Sequence, residues 1–440
     1  MLVSNFQFAV VGSIGPRCLA RLLVITLSLI CYFISVFRAH FGGERMLHMR
    51  LLSTSGGCAI AAIFIAYLGA PALADLMIVG GDNKVAFDGP NIVFKAPGND
   101  VVSIVDIGTD PANPKIIANL PLMNSVFGPP TNLAITPDES LALVANAMNW
   151  VKVDNDWKPE PDDRIHVIDL TQNPPALIDT VIVDRQPSGM AINRAGNLAL
   201  VAHRNSGTIG VLEIDGKTVS MVQSLDMGEQ VASVAITPDG RRALVTKFSS
   251  HKIAVLDITN GKVSYDPTLD MPVGLWPYNV QITPDGTLAL TADNGNGGRS
   301  DGHVDTVSVI DLSVEPPRVI DRVVVGDAPE GLAISPTGDI AVVVLLKGSA
   351  GIESDSWVYN RNGSVIVLEI DGKSVRPIAE VEVRGLPEGV VFSPDGRYLY
   401  VGNFVDSDIS VLKVDGTLVT NTGTLLKLPA KPGSMRGRTP

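Results

Sequence analysis

Two glutamates, Glu330 and Glu388, occupy the same place in two copies of one motif, Pro-Glu-Gly followed by apolar residues. Carboxylates held in neighbouring copies could share a proton, the requirement of general acid–base chemistry, or a divalent cation. His203 and Lys247 each close an alternating apolar run, Leu198 to His203 and Arg242 to Lys247, where they could polarise an ester or bind an anion. These four are the candidate catalytic residues. Equivalent run-closing positions in the other copies hold Asn146, Asp293, Leu345 with Lys347 nearby, and Asn403, while Tyr278 stands where the glutamates stand. Asn146, His203, Lys247, Tyr278, Asp293, Glu330, Lys347, Glu388 and Asn403 therefore form the candidate ligand-binding set. The alternative for all of them is structural: polar residues that cap strands and meet solvent.

A second group of oxygens lies between Asn149 and Arg164. Asp154, Asp156, Asp162 and Asp163 are spaced oxygen donors of the kind calcium accepts, without the Gly and terminal Glu of an EF-hand loop. A solvated loop anchored by Trp150 or Trp157 explains the same residues, and Trp357 and Tyr359 in a later insertion could stack on a sugar or lie under their loop. Other chemistries are excluded more firmly. The three cysteines, Cys18, Cys31 and Cys58, all precede residue 60, so the rest of the chain holds no thiol nucleophile and no Cys-ligated metal. Beyond residue 75 the histidines are His166, His203, His251 and His303, too scattered for a histidine-rich copper cluster. No Cys-x-x-Cys-His motif for a covalent haem occurs. The formal net charge of −12 argues against a nucleic-acid partner, which needs a basic face to displace counterions.

What positions these residues is a repeat. The best-formed copy runs Pro387-Glu-Gly-Val-Val-Phe-Ser-Pro-Asp-Gly396, then Arg397 to Asn403, then Asp408 to Gly416. The frame recurs from Pro130, Pro187, Val231, Pro277 and Pro329, at spacings of about 44 to 58 residues, the size of a four-stranded blade. A degenerate copy precedes them, with Asn91 to Lys95 as one strand and Val102 to Asp106 as the next. Period-2 alternation makes strands A, B and C, and the Pro-Asp-Gly tripeptide makes the tight A-to-B turn. A blade cannot bury both faces alone, so seven must close into a ring. The expected fold is all-β, a seven-bladed β-propeller of four-stranded antiparallel blades. The long insertions, 149–164, 295–305 and 348–363, are all B-to-C, which places binding on that face.

Tyr400-Val-Gly-Asn403 beside Ser393-Pro-Asp-Gly396 resembles the YVTN-type β-propeller repeat, whose relatives include lactonase-like seven-bladed propellers and surface-layer-type propellers. The resemblance covers nearly all of residues 76–430. It implies either a non-catalytic binding or scaffold module of the cell envelope, with an unknown small molecule or envelope protein as partner, or a lactonase-like hydrolase of a small lactone or ester at the channel mouth. A partner of a quinoprotein dehydrogenase is a third reading, by resemblance alone. No catalytic set of that family is matched residue by residue here, so beyond a divalent cation such as calcium no cofactor is implied.

Residues 1–74 read as a targeting region. Arg45 and Arg50, the apolar run Cys58 to Leu68, and Ala72-Leu73-Ala74 fit a signal peptide cleaved after Ala74, with translation starting at Met46 or Met49. Cys58 precedes its apolar run, which excludes a lipobox. A real N-terminal anchor is the alternative for the upstream run Leu22 to Phe37. The mature domain, residues 75–430, is then periplasmic or extracellular and not membrane-spanning, and residues 431–440 are expected to be a disordered tail.

Overall fold

The computed structural model describes residues 75–438, so the expectations for residues 1–74 lie outside the described residues. The described chain is a seven-bladed β-propeller of antiparallel blades. Blade 3 is typical: strand A, Pro187–Ile192, lies next to the axis, followed outward by B (Leu198–His203), C (Thr208–Asp215) and D (Thr218–Asp226). Blade 4 differs by a short extra strand, Met271–Pro272, paired with its strand C.

The turns explain why the repeat folds this way. In Thr283-Pro-Asp-Gly286, the Thr283 hydroxyl donates to Asp285 at 2.6 Å and accepts from the Leu288 amide at 3.0 Å. Asp285 accepts in turn from the Thr287 amide at 3.0 Å, and Gly286 takes a φ of 73°. The same bonds recur around Thr237 and Ser393. Once strands A and B are folded back, both faces of each blade are apolar and are covered by their neighbours. Between blades 2 and 3, for example, Leu141, Leu143, Ile165 and Val167 meet Met190, Val201 and Leu212, all buried. Each such side chain contributes about 1.5–3 kcal/mol on full burial.

The first blade corrects two expectations. Its inner strand is Pro432–Gly437, which pairs with strand B, Leu76–Gly81, so the segment expected to be a disordered tail closes the ring. Pairing repays the ordering cost, because Ser434 and Met435 are buried and would otherwise leave an open edge. Strands C and D of this blade are Val101–Asp106 and Lys115–Leu120. Asn91–Phe94, expected to be a blade strand, instead pairs with Val85–Asp88 in a separate hairpin inserted between strands B and C. Its base is held by Lys84, fully buried, which bonds Asp100, lies 3.1 Å from Asp82 and donates to the Asn124 carbonyl at 2.6 Å. The expected loop in 149–164 is likewise ordered strand: Leu141–Val153 and Asp156–Asp169 form one long hairpin whose tip turns at Asp154 and Asn155.

Around the axis the A strands approach closely. The Gly189 amide donates to the Ala232 carbonyl at 3.0 Å, and a Cβ on Gly331 would overlap the Glu388 carbonyl. Small residues at this point let seven inner strands meet in a narrow ring.

Candidate functional site

Above that ring, on the face carrying the insertions, the residue after the inner-strand proline of blades 5, 6 and 7 faces the channel mouth. Glu330, Glu388 and Tyr278 occupy this place in blades 6, 7 and 5, with 6%, 4% and 8% of their surface exposed. Burial pushes Glu330 up to about 8, an effect that the Arg204 guanidinium reduces. Burial also raises Glu388 well above the ordinary carboxylate range, and the charge of Glu330 raises it further. Both carboxyls are thus held towards the protonated form, and the charge of either one opposes ionisation of the other. One oxygen of Glu388 is buried with no hydrogen-bond partner. Burial likewise raises the Tyr278 hydroxyl, and that hydroxyl lies 3.2 Å from the Arg204 guanidinium.

Arg204 is set in place by a repeated clasp. The residue before the inner-strand proline takes a left-handed conformation in four blades: Gln186 (φ 63°), Trp276 (57°), Ala328 (55°) and Leu386 (49°). Its carbonyl accepts from the residue just beyond strand B, from Arg204 at 2.9 Å, Asn294 at 2.9 Å, Leu346 at 3.1 Å and Phe404 at 3.0 Å. Held there, Arg204 stacks over Phe248 (5.0 Å) and Tyr278 (5.4 Å), and Phe248 lies 5.0 Å from the Trp276 ring. The Trp276 amide is fixed by His251 Nδ1 at 3.0 Å. The mouth thus has an acidic side in blades 6 and 7 and an aromatic, cationic side in blades 3 to 5.

The hairpin of blade 1 covers part of this mouth. Phe87 packs edge-on against Phe404 at 6.3 Å, and Phe94 and Phe127 pack against Trp150 at 6.1 Å. With Leu346 and Leu386 they form one apolar cluster that joins blades 1, 2, 6 and 7. Arg204 and Trp276, across from it, stay only half-buried.

The other sequence candidates are placed differently. Asn146 donates to Asp162. His203 Nδ1 lies 3.1 Å from Thr208 Oγ1, and burial lowers its pKa to about 4. Lys247 pairs with Asp270 at 2.8 Å and Glu229 at 3.0 Å, and bonds Tyr265 at 2.9 Å. Asp293 accepts from Ser308 and Thr291, each at 2.6 Å, and burial pushes its pKa up to about 6. Asn403 donates to Asp408 and Ser410, each at 2.9 Å, and Lys347 pairs with Glu380 at 2.5 Å. Apart from Thr291, which lies on the same strand B as Asp293, these partners lie outward on strand C or D or in a loop beside them, so the candidate ligand-binding set is not gathered at the mouth from the ends of strand B. The next residue along supplies the mouth. Side chains alternate along a strand, so a one-residue offset exchanges the two directions.

The four candidate calcium ligands also stay apart. Asp154 and Asp156 sit at the hairpin tip, while Asp162, six residues along the strand from Asp156 and so about 20 Å away, is bonded by Asn146 and paired with Arg164 at 2.6 Å. Among the described residues no group of three or more His, Cys, Asp or Glu is placed to hold a metal ion, and no helix is long and apolar enough to cross a membrane.

No family model and no curated protein matches the chain. Solved structures do. A Bacteroides uniformis protein named as a candidate 6-phosphogluconolactonase is similar at TM-score 0.63 and 14% identity, covering 82% of this chain and 99% of its own. The periplasmic gluconolactonase of Pseudomonas aeruginosa is similar at 0.56 and 18%, covering 83% and 99%. Hydrazine synthase of Kuenenia stuttgartiensis is similar at 0.52 and 20%, covering 67% and 79%. At such identities the shared property is the fold, and function rests on the mouth itself.

Proposed function

We propose that the protein is a lactonase-like hydrolase that opens a small lactone or ester at the channel mouth. The observation that carries this reading is the Glu330–Glu388 pair, two buried carboxyls in adjacent blades beside Arg204, in which the charge of Glu330 opposes ionisation of Glu388. Paired groups whose environments separate their ionisation are the usual source of an acid and a base at one site. Glu330, once ionised, takes a proton from water as the water oxygen bonds to the carbonyl carbon. Arg204 stabilises the oxyanion that forms, and Glu388 donates its proton to the ring oxygen as the carbon–oxygen bond breaks. The product is the open hydroxy acid. Trp276 and Phe248 supply the apolar wall for the carbon skeleton. The gluconolactonase names among the fold's relatives support a lactone over other acyl substrates, and the Ala72-Leu73-Ala74 site supports a periplasmic or extracellular setting.

The test is a hydrolysis screen over γ- and δ-lactones and aryl esters with the wild-type chain and with Glu330→Gln and Glu388→Gln. Turnover should fall at least about 100-fold in each variant, the usual worth of a general acid or base. A wild-type chain inert across the panel would overturn the hydrolase and leave the non-catalytic envelope-binding module.

A further inference from the structure

The channel also opens on the opposite face, among the short A-to-B turns, and that end has a different character. It holds a cavity of about 150 Å³ walled by inner-strand residues such as Ala191, Ala235, Ile282, Ala333 and Val391. No Asp or Glu lines it, in a chain whose net charge is −12. Three arginines do, and two of them have protein partners: Arg194 donates to the carbonyl of Pro284, another residue of the cavity wall, at 3.1 Å, and Arg438 pairs with Asp75 at 3.2 Å. Arg436, from the strand that closes the ring, has one long contact, 3.5 Å to the Met190 carbonyl. Lining the same cavity, the side-chain amide nitrogen of Gln281 is buried with no hydrogen-bond partner.

We infer that this cavity is a binding site for a small organic carboxylate, its charge on Arg436 and Gln281 and its carbon chain against the Ala, Ile and Val wall. A guanidinium drawn into an apolar channel without a carboxylate is costly, and burial alone lowers its pKa to about 10. An anion repays that cost through charge-assisted hydrogen bonds, and Arg and an amide offer donors suited to a carboxylate. A cavity of 150 Å³ is of the size that encloses a benzene-sized molecule, so a carboxylate of three to five carbons fills it. Neither Glu330 nor Glu388 lines it, so this site stands apart from the proposed hydrolytic one.

The test uses protein expressed from the full-length sequence, with butyrate as probe in isothermal titration calorimetry. Butyrate should bind the wild-type chain with 1:1 stoichiometry. Arg436→Gln should weaken it at least tenfold, and Ala333→Leu, which fills the cavity and leaves the closing strand untouched, should do the same. Inorganic phosphate, which has no apolar part, should bind at least tenfold more weakly than butyrate. The proposal is overturned if butyrate fails to bind the wild-type chain at about 20 mM, if both variants bind as the wild type does, or if phosphate binds equally well. The inertness of Glu330→Gln towards lactones has no bearing on any of these readouts.

Discussion

Replacing Glu330 by Gln should change how stability depends on pH, and the sign follows from its burial. An ordinary glutamate ionises near 4.5, whereas Glu330 is pushed up to about 8, by burial first and with Arg204 opposing. Between those values the folded chain keeps a proton that the unfolded chain has released, so stability declines as pH rises from about 4.5 to about 8. Each unit of difference is worth about 1.4 kcal/mol, which sets an upper bound on the order of 5 kcal/mol for this residue at pH 8.5. Unfolding roughly 360 residues at about 2.1 cal/mol/K per residue gives an entropy near 0.8 kcal/mol/K, so 5 kcal/mol corresponds to about 6 °C in Tm. Gln is neutral throughout and has nearly the same shape. Thermal melts of the two proteins should therefore nearly agree at about pH 4.5 and draw apart steadily towards pH 8, with Glu330→Gln melting up to about 6 °C higher at pH 8.5. Taking the difference between variants removes the contribution of titrating groups that do not interact with Glu330, while Glu388, which the Glu330 charge raises, still contributes to it. Parallel melting curves from pH 5 to 8.5 would refute the buried, late-ionising carboxyl, and so would a variant that melts lower at pH 8.5.

Two further perturbations test the ring. Ending the chain after Lys431 removes the inner strand of blade 1 and exposes the pairing edge of Leu76–Gly81; size-exclusion chromatography and thermal melting should show aggregation or a Tm at least about 10 °C lower, and a monomer of unchanged Tm would contradict closure by this strand. Gly331→Ala places a Cβ against the Glu388 carbonyl and should cost about 3 kcal/mol or more by denaturant unfolding, within the range for overpacking and backbone clash, whereas an unchanged midpoint would mean that the inner strands are not so close.

Much of this architecture is legible in the sequence, because its main determinants are local. The Thr-Pro-Asp-Gly turns use hydroxyl, carboxylate and glycine within six residues, and period-2 alternation marks the strands around them. Glu330, Glu388 and Tyr278 could be found because each directly follows an inner-strand proline. Arg204 could not be found in this way. Its direction depends on the carbonyl of Gln186, a residue in a left-handed conformation that glycine would have announced but Gln does not. Counting to the end of strand B selects His203, and the clasp selects the next residue. The hairpin at Val85–Asp88 and Asn91–Phe94 reads as a blade strand because its alternation is the same, and only its partner distinguishes it. The closing strand was discoverable: Pro432 lies about 45 residues beyond Pro387, one more period of the frame, but no Pro-Asp-Gly turn follows it.

That closing strand also sets an order of events. Ile78 pairs with Arg436, so one of the earliest segments of the domain to be synthesised waits for one of the last. Joining ends roughly 360 residues apart costs about 3 kcal/mol more chain entropy than closing a ten-residue loop. Blades 2 to 7 are each built from contiguous chain and can form as they emerge, stacking one on the next, whereas blade 1 stays one strand short. The ring is therefore a late checkpoint: until the last turn of the path is made, the first edge remains open to any other strand that can reach it.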